Sequence, residues 1–342
     1  MVTEESHRAV LEAAIHSTFD DSGLSPGRLI ESRNSWVSRQ ADRLLVLGAF
    51  VLRPGDDDYP PMLVGIEDEP ACLFALGRRP RPGQPAVAII GSRRPTPSGI
   101  RFARETARLL VRHGVTVVSG MARGIDGEAH RAALEVGGDF LPSIGVLATG
   151  LDLVYPPEHR LLQAAMGERG LLLTEFPPGS PPLRHHFLRR NRLLSGLATL
   201  VVVVEATARS GALVTVGHAL SQGRDVGAVP GDVFSEASAG SNRLLTEGAT
   251  PFTSPGAVLQ RMIDQGLVGA EASLAALDPG MSSAAPFPEA FRLLEPHLGS
   301  SPITLEEMAG RTGHPVAHLL AELLELEMAG CVRRWRGGFV RT

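Results

Sequence analysis

Seven short runs constrain what this chain can fold into: ACLFALG, AVAIIGS, GVTVVSG, IGVLAT, LLLTEF, TLVVVVEA and DVGAVPG, spread between Ala71 and Gly231. Most are apolar throughout instead of alternating with polar residues. A strand reads that way when both of its faces are buried, and helical stretches between such strands imply a parallel sheet. Residues 56–265 therefore predict a doubly wound α/β domain with a mainly parallel sheet. Residues 1–55 read as a small helical domain. Leu11, Ala14 and Ile15 fit one helical face, and LSPGRLIE predicts a helix with proline in its first turn. RPGDDDYPP, Arg53 to Pro61, reads as linker-like. Residues 266–285, rich in Ala, Ser, Gly and Pro, read as a second linker. PFPEAFRLLEPHL, ITLEEMAGRTG and HPVAHLLAELLELEMAG predict three helices, and CVRRWRGGFVRT a hairpin around Gly337-Gly338. Together these make a winged helix over 286–342.

A formal net charge of -4 argues mildly against a polyanionic partner, but the distribution of charge argues the other way. All 33 basic residues are arginine. Arg78 to Arg112 holds nine arginines against one acid, Glu105, and Arg184 to Arg192 holds four arginines and no acid. Local clusters of this kind bind polyanions even on an acidic chain.

In open α/β sheets ligands gather at the carboxyl ends of strands, where helix N-termini present N–H groups to anions. Three strand ends here share one style. The first carries Gly91, Ser92 and Arg93; the second Gly120, Arg123 and Gly124; the third, after Glu205, Ser210 and Gly211. Glycine lets the backbone come close, serine donates a hydroxyl, and arginine adds a forked cation. Side by side, three such loops would make a long anion-binding rim instead of one pocket. Arg190, Asn191 and Arg192 lead into Leu193-Leu194, which predicts that they face phosphate at a helix N-terminus. Arg184 and Phe187 lie just upstream. An exposed ring beside arginines is the composition of a single-strand groove, where bases stack without regard to sequence.

Nucleotide chemistry fits poorly. GSRRPTPSG lacks the second glycine of a dinucleotide fingerprint, and GVTVVSG ends without an acid for a ribose. A Walker A loop needs lysine, and the chain has none. Neither H-E-x-x-H nor G-x-S-x-G occurs. His185 and His186, as neighbours, read as a packing or phosphate-facing pair before a metal site. Asp126 and His130 read as a helix cap and a partly buried ring, and Tyr155 as a packed ring in a turn. Cys72 and Cys331 make no metal pattern and read as reduced thiols. No apolar run approaches the roughly 20 residues of a membrane span. MVTEESHRAVLEAAI has acids where a signal peptide needs a basic region, so the expectation is cytoplasmic. No cofactor and no metal are expected.

Eight segments in order then carry a resemblance: DDDYPPMLVGIEDEPACLFALG, IIGSRRPTPSG, SGMARGIDGEAHRAAL, ATGLDLVYPPEH, LTEFPPG, FLRRNRLLSGL, VVVVEATARSGALVT and GRDVGAVPG. Over about residues 56 to 255 the chain resembles the DprA (Smf) family, DNA-processing proteins of natural transformation. The resemblance implies an extended Rossmann domain that binds single-stranded DNA, flanked by a SAM-like helical module and a winged helix. It also implies a homodimer, delivery of incoming DNA to the RecA recombinase, displacement of single-strand-binding protein, and no enzymatic activity. Carried over by motif, Gly91, Ser92 and Arg93 match the first phosphate-binding loop, and Gly120, Arg123 and Gly124 the second. Arg190, Asn191 and Arg192 match the arginine-asparagine-arginine segment, and Ser210 and Gly211 the last loop. Leu188 replaces a frequent proline, Ala212 replaces a serine, and GVLATGLD departs slightly from the usual form. A LOG-type phosphoribohydrolase is the enzymatic alternative, but its Pro-Gly-Gly-x-Gly-Thr loop is absent. A transcription factor would read DNA with its third helix, yet that helix carries Glu322, Glu325 and Glu327 and no arginine.

Overall fold

The computed structural model describes residues 26–81, 83–269, 294, 297–298, 302–328, 332–335 and 337–341. The expected helix through Leu11 and Ile15, most of the linker at 266–285, most of PFPEAFRLLEPHL, and Cys331 lie outside the described residues.

The seven apolar runs are strands β2 (Leu73–Gly77), β3 (Ala86–Ile90), β4 (Thr116–Ser119), β5 (Ser143–Val146), β6 (Leu171–Thr174), β7 (Leu200–Val203) and β8 (Asp225–Ala228). Two shorter strands, β1 (Phe50–Leu52) and β9 (Thr250–Pro251), complete a nine-stranded sheet in the order β1-β2-β6-β5-β4-β3-β7-β8-β9. From β6 to β9 neighbouring strands run parallel; β1 and β2 pair antiparallel at one edge. The apolar runs have their physical cause here. Ala86, Ala88 and Ile90 feed one core, while Val87 and Ile89 feed the other. Val201 and Val203 divide from Leu200 and Val202 in the same way.

Helices α2 (Pro97–Arg112), α3 (Ile125–Glu135) and α8 (Pro255–Asp264) cover one face through Leu110, Val111, Ala129, Ala132 and Val258. Helices α5 (Arg184–Gly196), α6 (Ala212–Ser221) and α7 (Ala239–Thr246) cover the other through Leu193, Leu194, Val216 and Leu244. Each such side chain fully removed from water contributes about 1.5–3 kcal/mol. α4 (Arg160–Arg169) packs Leu162 and Met166 into a third cluster with Phe74 and Met121.

The amino-terminal helix α1 (Pro26–Leu47) opens on the predicted proline. It lays Val37, Ala41 and Leu44 onto that third cluster. Strand β1, inside the segment assigned to a separate helical module, hydrogen-bonds into the main sheet. The stretch Arg53 to Pro61 is not a linker. Tyr59 is 4% exposed within the core, and the Arg53 N–H donates to Asp56 Oδ2 at 2.8 Å. A charged, proline-rich composition is compatible with a packed loop when one aromatic anchors it.

The carboxy-terminal unit has α9 (Leu305–Thr312), α10 (Val316–Met328) and the hairpin β10 (Val332–Trp335) and β11 (Gly338–Arg341). Thr304 and Glu307 form a reciprocal cap at the start of α9, and Gly313 ends it at φ +71°. The pairing of Trp335 with Gly338 puts Gly337 in the turn.

Candidate nucleic-acid interface

Parallel pairing places the carboxyl ends of β4, β3 and β7 next to one another. The three glycine-bearing loops therefore form a continuous edge, as their shared style predicts. Their mutual fit explains the glycines. Gly124 takes φ +72°, and a Cβ there would collide with the Ser92 carbonyl. The next amide, Ile125 N–H, donates to that same carbonyl at 3.1 Å. A Cβ on Gly91 would come within 2.8 Å of Ile125 Cγ1. Gly124→Ala is thus expected to destabilise the fold by at least about 1–3 kcal/mol, the cost of holding a side chain at such a backbone angle. Urea unfolding checks this.

Two buried carboxylates tie the loops together. Glu205, just past β7, accepts from the Thr96 N–H at 2.9 Å and from the Thr96 hydroxyl. Thr96 Oγ1 in turn accepts from the Gly99 N–H at 3.2 Å, capping α2. Burial raises the Glu205 pKa, and these donors oppose the rise. Asp126 accepts from the N–H groups of Gly120 (3.1 Å) and Ala122 (3.3 Å), so it braces the preceding loop instead of capping its own helix. His130 is fully buried against Ser143 Oγ at 2.7 Å, and burial pushes its pKa down to about 3.

A cleft of about 840 Å³ runs along the edge, lined among others by Ser92, Arg93, Arg184, Phe187, Arg209 and Ser210. Arg93, Arg94, Arg184 and Arg209 are exposed. They face no carboxylate within ion-pair distance among the described residues. Five other arginines of the first basic cluster behave otherwise: Arg79 pairs with Asp58, and four more are also engaged. Arg101 pairs with Glu105 at 2.7 Å and Arg108 with Glu135 at 2.6 Å; Arg104 pairs with Glu135 at 3.1 Å, and Arg78 donates to backbone carbonyls. The Ser92 hydroxyl oxygen accepts from the Arg94 N–H at 3.1 Å, and Ser210 Oγ from the Ala212 N–H at 3.2 Å. Both turns leave a hydroxyl hydrogen to donate outward.

A small apolar recess adjoins the cleft beneath two rings. Tyr155 and Phe187 have centroids 5.4 Å apart, and the Arg93 guanidinium lies 5.8 Å over Phe187. Phe187 is half-buried and Tyr155 38% exposed. His186 stacks on Phe176 at 3.9 Å, so it packs.

Several expected residues sit differently. α5 begins at Arg184, so Arg190, Asn191 and Arg192 lie near its middle and not at its N-terminus. Arg190 is 4% exposed; it donates to the carbonyls of Gly120, at 2.6 Å, and Val146. Burial lowers its pKa to about 10, against the attraction of Asp126. Arg192 turns away from the cleft. It grips Glu175 at 2.5 and 2.7 Å and the Asp68 carbonyl at 2.6 Å. Arg190 and Asn191 both line the cleft, and Asn191 donates to the Gly211 carbonyl at 3.4 Å. Gly120 is boxed in, since a Cβ there would lie 2.5 Å from Arg190 Nη1. Arg123 is exposed at the recess but paired with Glu158, which its guanidinium pulls down to about 2. Arg94, Tyr155 and Arg209 were not anticipated. Arg209 and Arg94 adjoin residues already singled out, which is the signal that would have found them.

Two family models match. One, described as DNA recombination-mediator protein A, covers residues 50–263, and the other, a DprA winged helix domain, covers 278–338. Protein Smf of Escherichia coli is 39% identical over 322 residues, 92% of this chain and 82% of its own. DNA processing protein DprA of Streptococcus pneumoniae is 42% identical over 199 residues, 58% of this chain and 69% of its own. The X-ray structure of the Streptococcus pneumoniae protein matches with a TM-score of 0.58 at 35% identity, covering 76% of this chain and 93% of that one. A Helicobacter pylori DNA processing protein A, described for its single-stranded DNA binding mode, matches with a TM-score of 0.56 at 27% identity. That match covers 64% of this chain and 96% of the other.

Proposed function

Because this chain belongs to the DNA recombination-mediator protein A (DprA) family, we propose that it binds single-stranded DNA along the cleft and hands it to the RecA recombinase during transformation. In this reading it works in the cytoplasm as a homodimer, displaces single-strand-binding protein, and carries out no bond chemistry. One observation carries the reading most: Arg93, Arg94, Arg184 and Arg209 stand exposed around one cleft with no carboxylate partner among the described residues, beside the rings of Tyr155 and Phe187. Four unpaired guanidinium groups along an open edge suit a run of phosphates better than one small anion. Ser92 and Ser210 add neutral donors, Gly211 leaves room for the backbone, Gly91 lets its loop pack on Ile125, and Arg123 joins by exchanging Glu158 for a phosphate. Gly120 and Gly124 support the rim from beneath, and Arg190 and Arg192 brace it without touching DNA.

The winged helix serves in this reading as an auxiliary or partner-contacting unit. Its third helix, α10, exposes Val316, Leu320 and Leu324 and bears no arginine, so it lacks the cations that a groove-reading helix uses.

Titration of labelled single-stranded and duplex 20-mers tests the proposal. The single strand is expected to bind more tightly, because only unpaired bases can reach the rings. Phe187→Ala should then cost roughly 1–3 kcal/mol on the single strand and almost nothing on the duplex. Equal or tighter duplex binding would contradict the reading.

A further inference from the structure

The loop that follows β8 carries an aromatic ring that the cleft does not use. Phe234 is 94% exposed and its neighbour Val233 79%. An apolar ring held almost wholly in water, on a loop with no slack, calls for a ligand.

The loop is held from several sides. The Gly231 N–H donates to Asn242 Oδ1 at 3.0 Å, and Asn242 Nδ2 returns a bond to the Gly231 carbonyl at 3.1 Å. The Phe234 N–H donates to Asp232 Oδ1 at 2.9 Å, and the Ser235 N–H to the Asp232 carbonyl at 3.1 Å. Gly231 and Gly240 both sit where a Cβ would not fit, against Ser238 and the Thr207 carbonyl. The Gly240 N–H donates to the Ala206 carbonyl at 2.7 Å, which ties the far end of the loop to the arginine-bearing loop after β7.

Topology then sets the ring's place. β8 lies parallel to β7 with Ala228 opposite Val203, so both loops leave the same edge of the sheet. Along that edge come the loops of Arg93 (after β3), Arg209 (after β7) and Phe234 (after β8). Phe187 contacts Arg93 at the opposite end. Two strand spacings, roughly 10 Å, separate the Arg93 loop from that of Phe234, with Arg209 between them.

We propose that Phe234, with Val233 beside it, is a second base-stacking platform, which extends the single-strand path past Arg209 to the β8 end of the sheet. The inference rests on the single-strand reading above. A polyanionic strand led along the arginines reaches this ring with its bases unpaired, and any base can stack there because every base has a π-face.

The test compares wild type, Phe234→Ala, Phe234→Trp and Arg93→Ala on two labelled probes: a 20-nucleotide oligothymidine and a 20-unit abasic sugar-phosphate strand. Phe234→Ala is expected to weaken oligothymidine binding about 5- to 150-fold and to leave the abasic strand unaffected. Phe234→Trp should bind oligothymidine like wild type. Arg93→Ala should weaken both probes, since it contacts phosphate. Phe234→Ala equal to wild type on oligothymidine, or equally impaired on both probes, would overturn the proposal while leaving the single-strand reading intact. So would a changed sedimentation coefficient with unchanged affinity, which would assign the ring to a protein contact. Wild type binding neither probe would overturn the reading itself.

Discussion

Arg190→Ala is expected to lower folding stability by about 3–5 kcal/mol, the cost of leaving a buried charge uncompensated. Arg190 is one of the most buried charges among the described residues, and it joins two strand ends. It holds the carbonyls of Gly120, after β4, and Val146, at the end of β5, while neutralising Asp126. Truncation strands both carbonyls, each at about 1–3 kcal/mol when unsatisfied, and leaves Asp126 in a dry site where its pKa is already raised by burial. Losing Arg190 would raise the Asp126 pKa further, since the guanidinium opposes the rise that burial causes, and would weaken its hold on the Gly120 and Ala122 amides. Guanidinium chloride unfolding monitored by circular dichroism measures the change. An Arg190→Ala protein with wild-type stability and weakened DNA binding would instead place this side chain on the DNA.

The second large effect separates binding from stability. Arg93→Ala and Arg209→Ala should each cost about 1–3 kcal/mol in single-strand affinity, the scale of a charge-assisted contact. Their double variant should lose the sum, since the two loops follow different strands and share no partner. Neither change should move the unfolding midpoint, because both side chains are exposed and unpaired. Arg101→Ala with Arg108→Ala is the matched control. It removes the same charge, from the basic cluster that holds Arg93, but from side chains already paired with Glu105 and Glu135. Filter binding or fluorescence anisotropy at fixed salt reads all four variants. A control as damaging as the Arg93 and Arg209 pair would mean that net charge, not the cleft, governs binding.

Much of the sheet is legible in the sequence because its central strands are buried on both faces, and burial leaves only apolar residues there. β1 and β9 are not, since strands of three and two residues are too short to show a period. The rim loops are legible through their glycines, which the close approach of Gly124 to Ser92 demands. The roles of the arginines are not, because composition does not say which way a helical side chain points. With α5 starting at Arg184, the spacing of Arg184, Phe187, Leu188 and Asn191 puts them on one face, toward the cleft. Arg192 falls on another, against Glu175. Placing that helix start near Arg190 put Arg190 and Arg192 at a helix N-terminus, whereas both lie near the middle of α5. The first basic cluster misleads in the same way, since Glu128 and Glu135, which pair with Arg104 and Arg108, lie on the next helix.

The salt dependence of single-strand binding tests the central claim most directly. Five or six phosphates held by the rim arginines, at about 0.7 released counterions each, give a slope of log affinity against log salt of roughly -4. Removing Arg93 and Arg209 together should flatten it by about 1.4. A slope near zero in the wild-type protein, or one unchanged in the double variant, would contradict a cleft that works by holding phosphates.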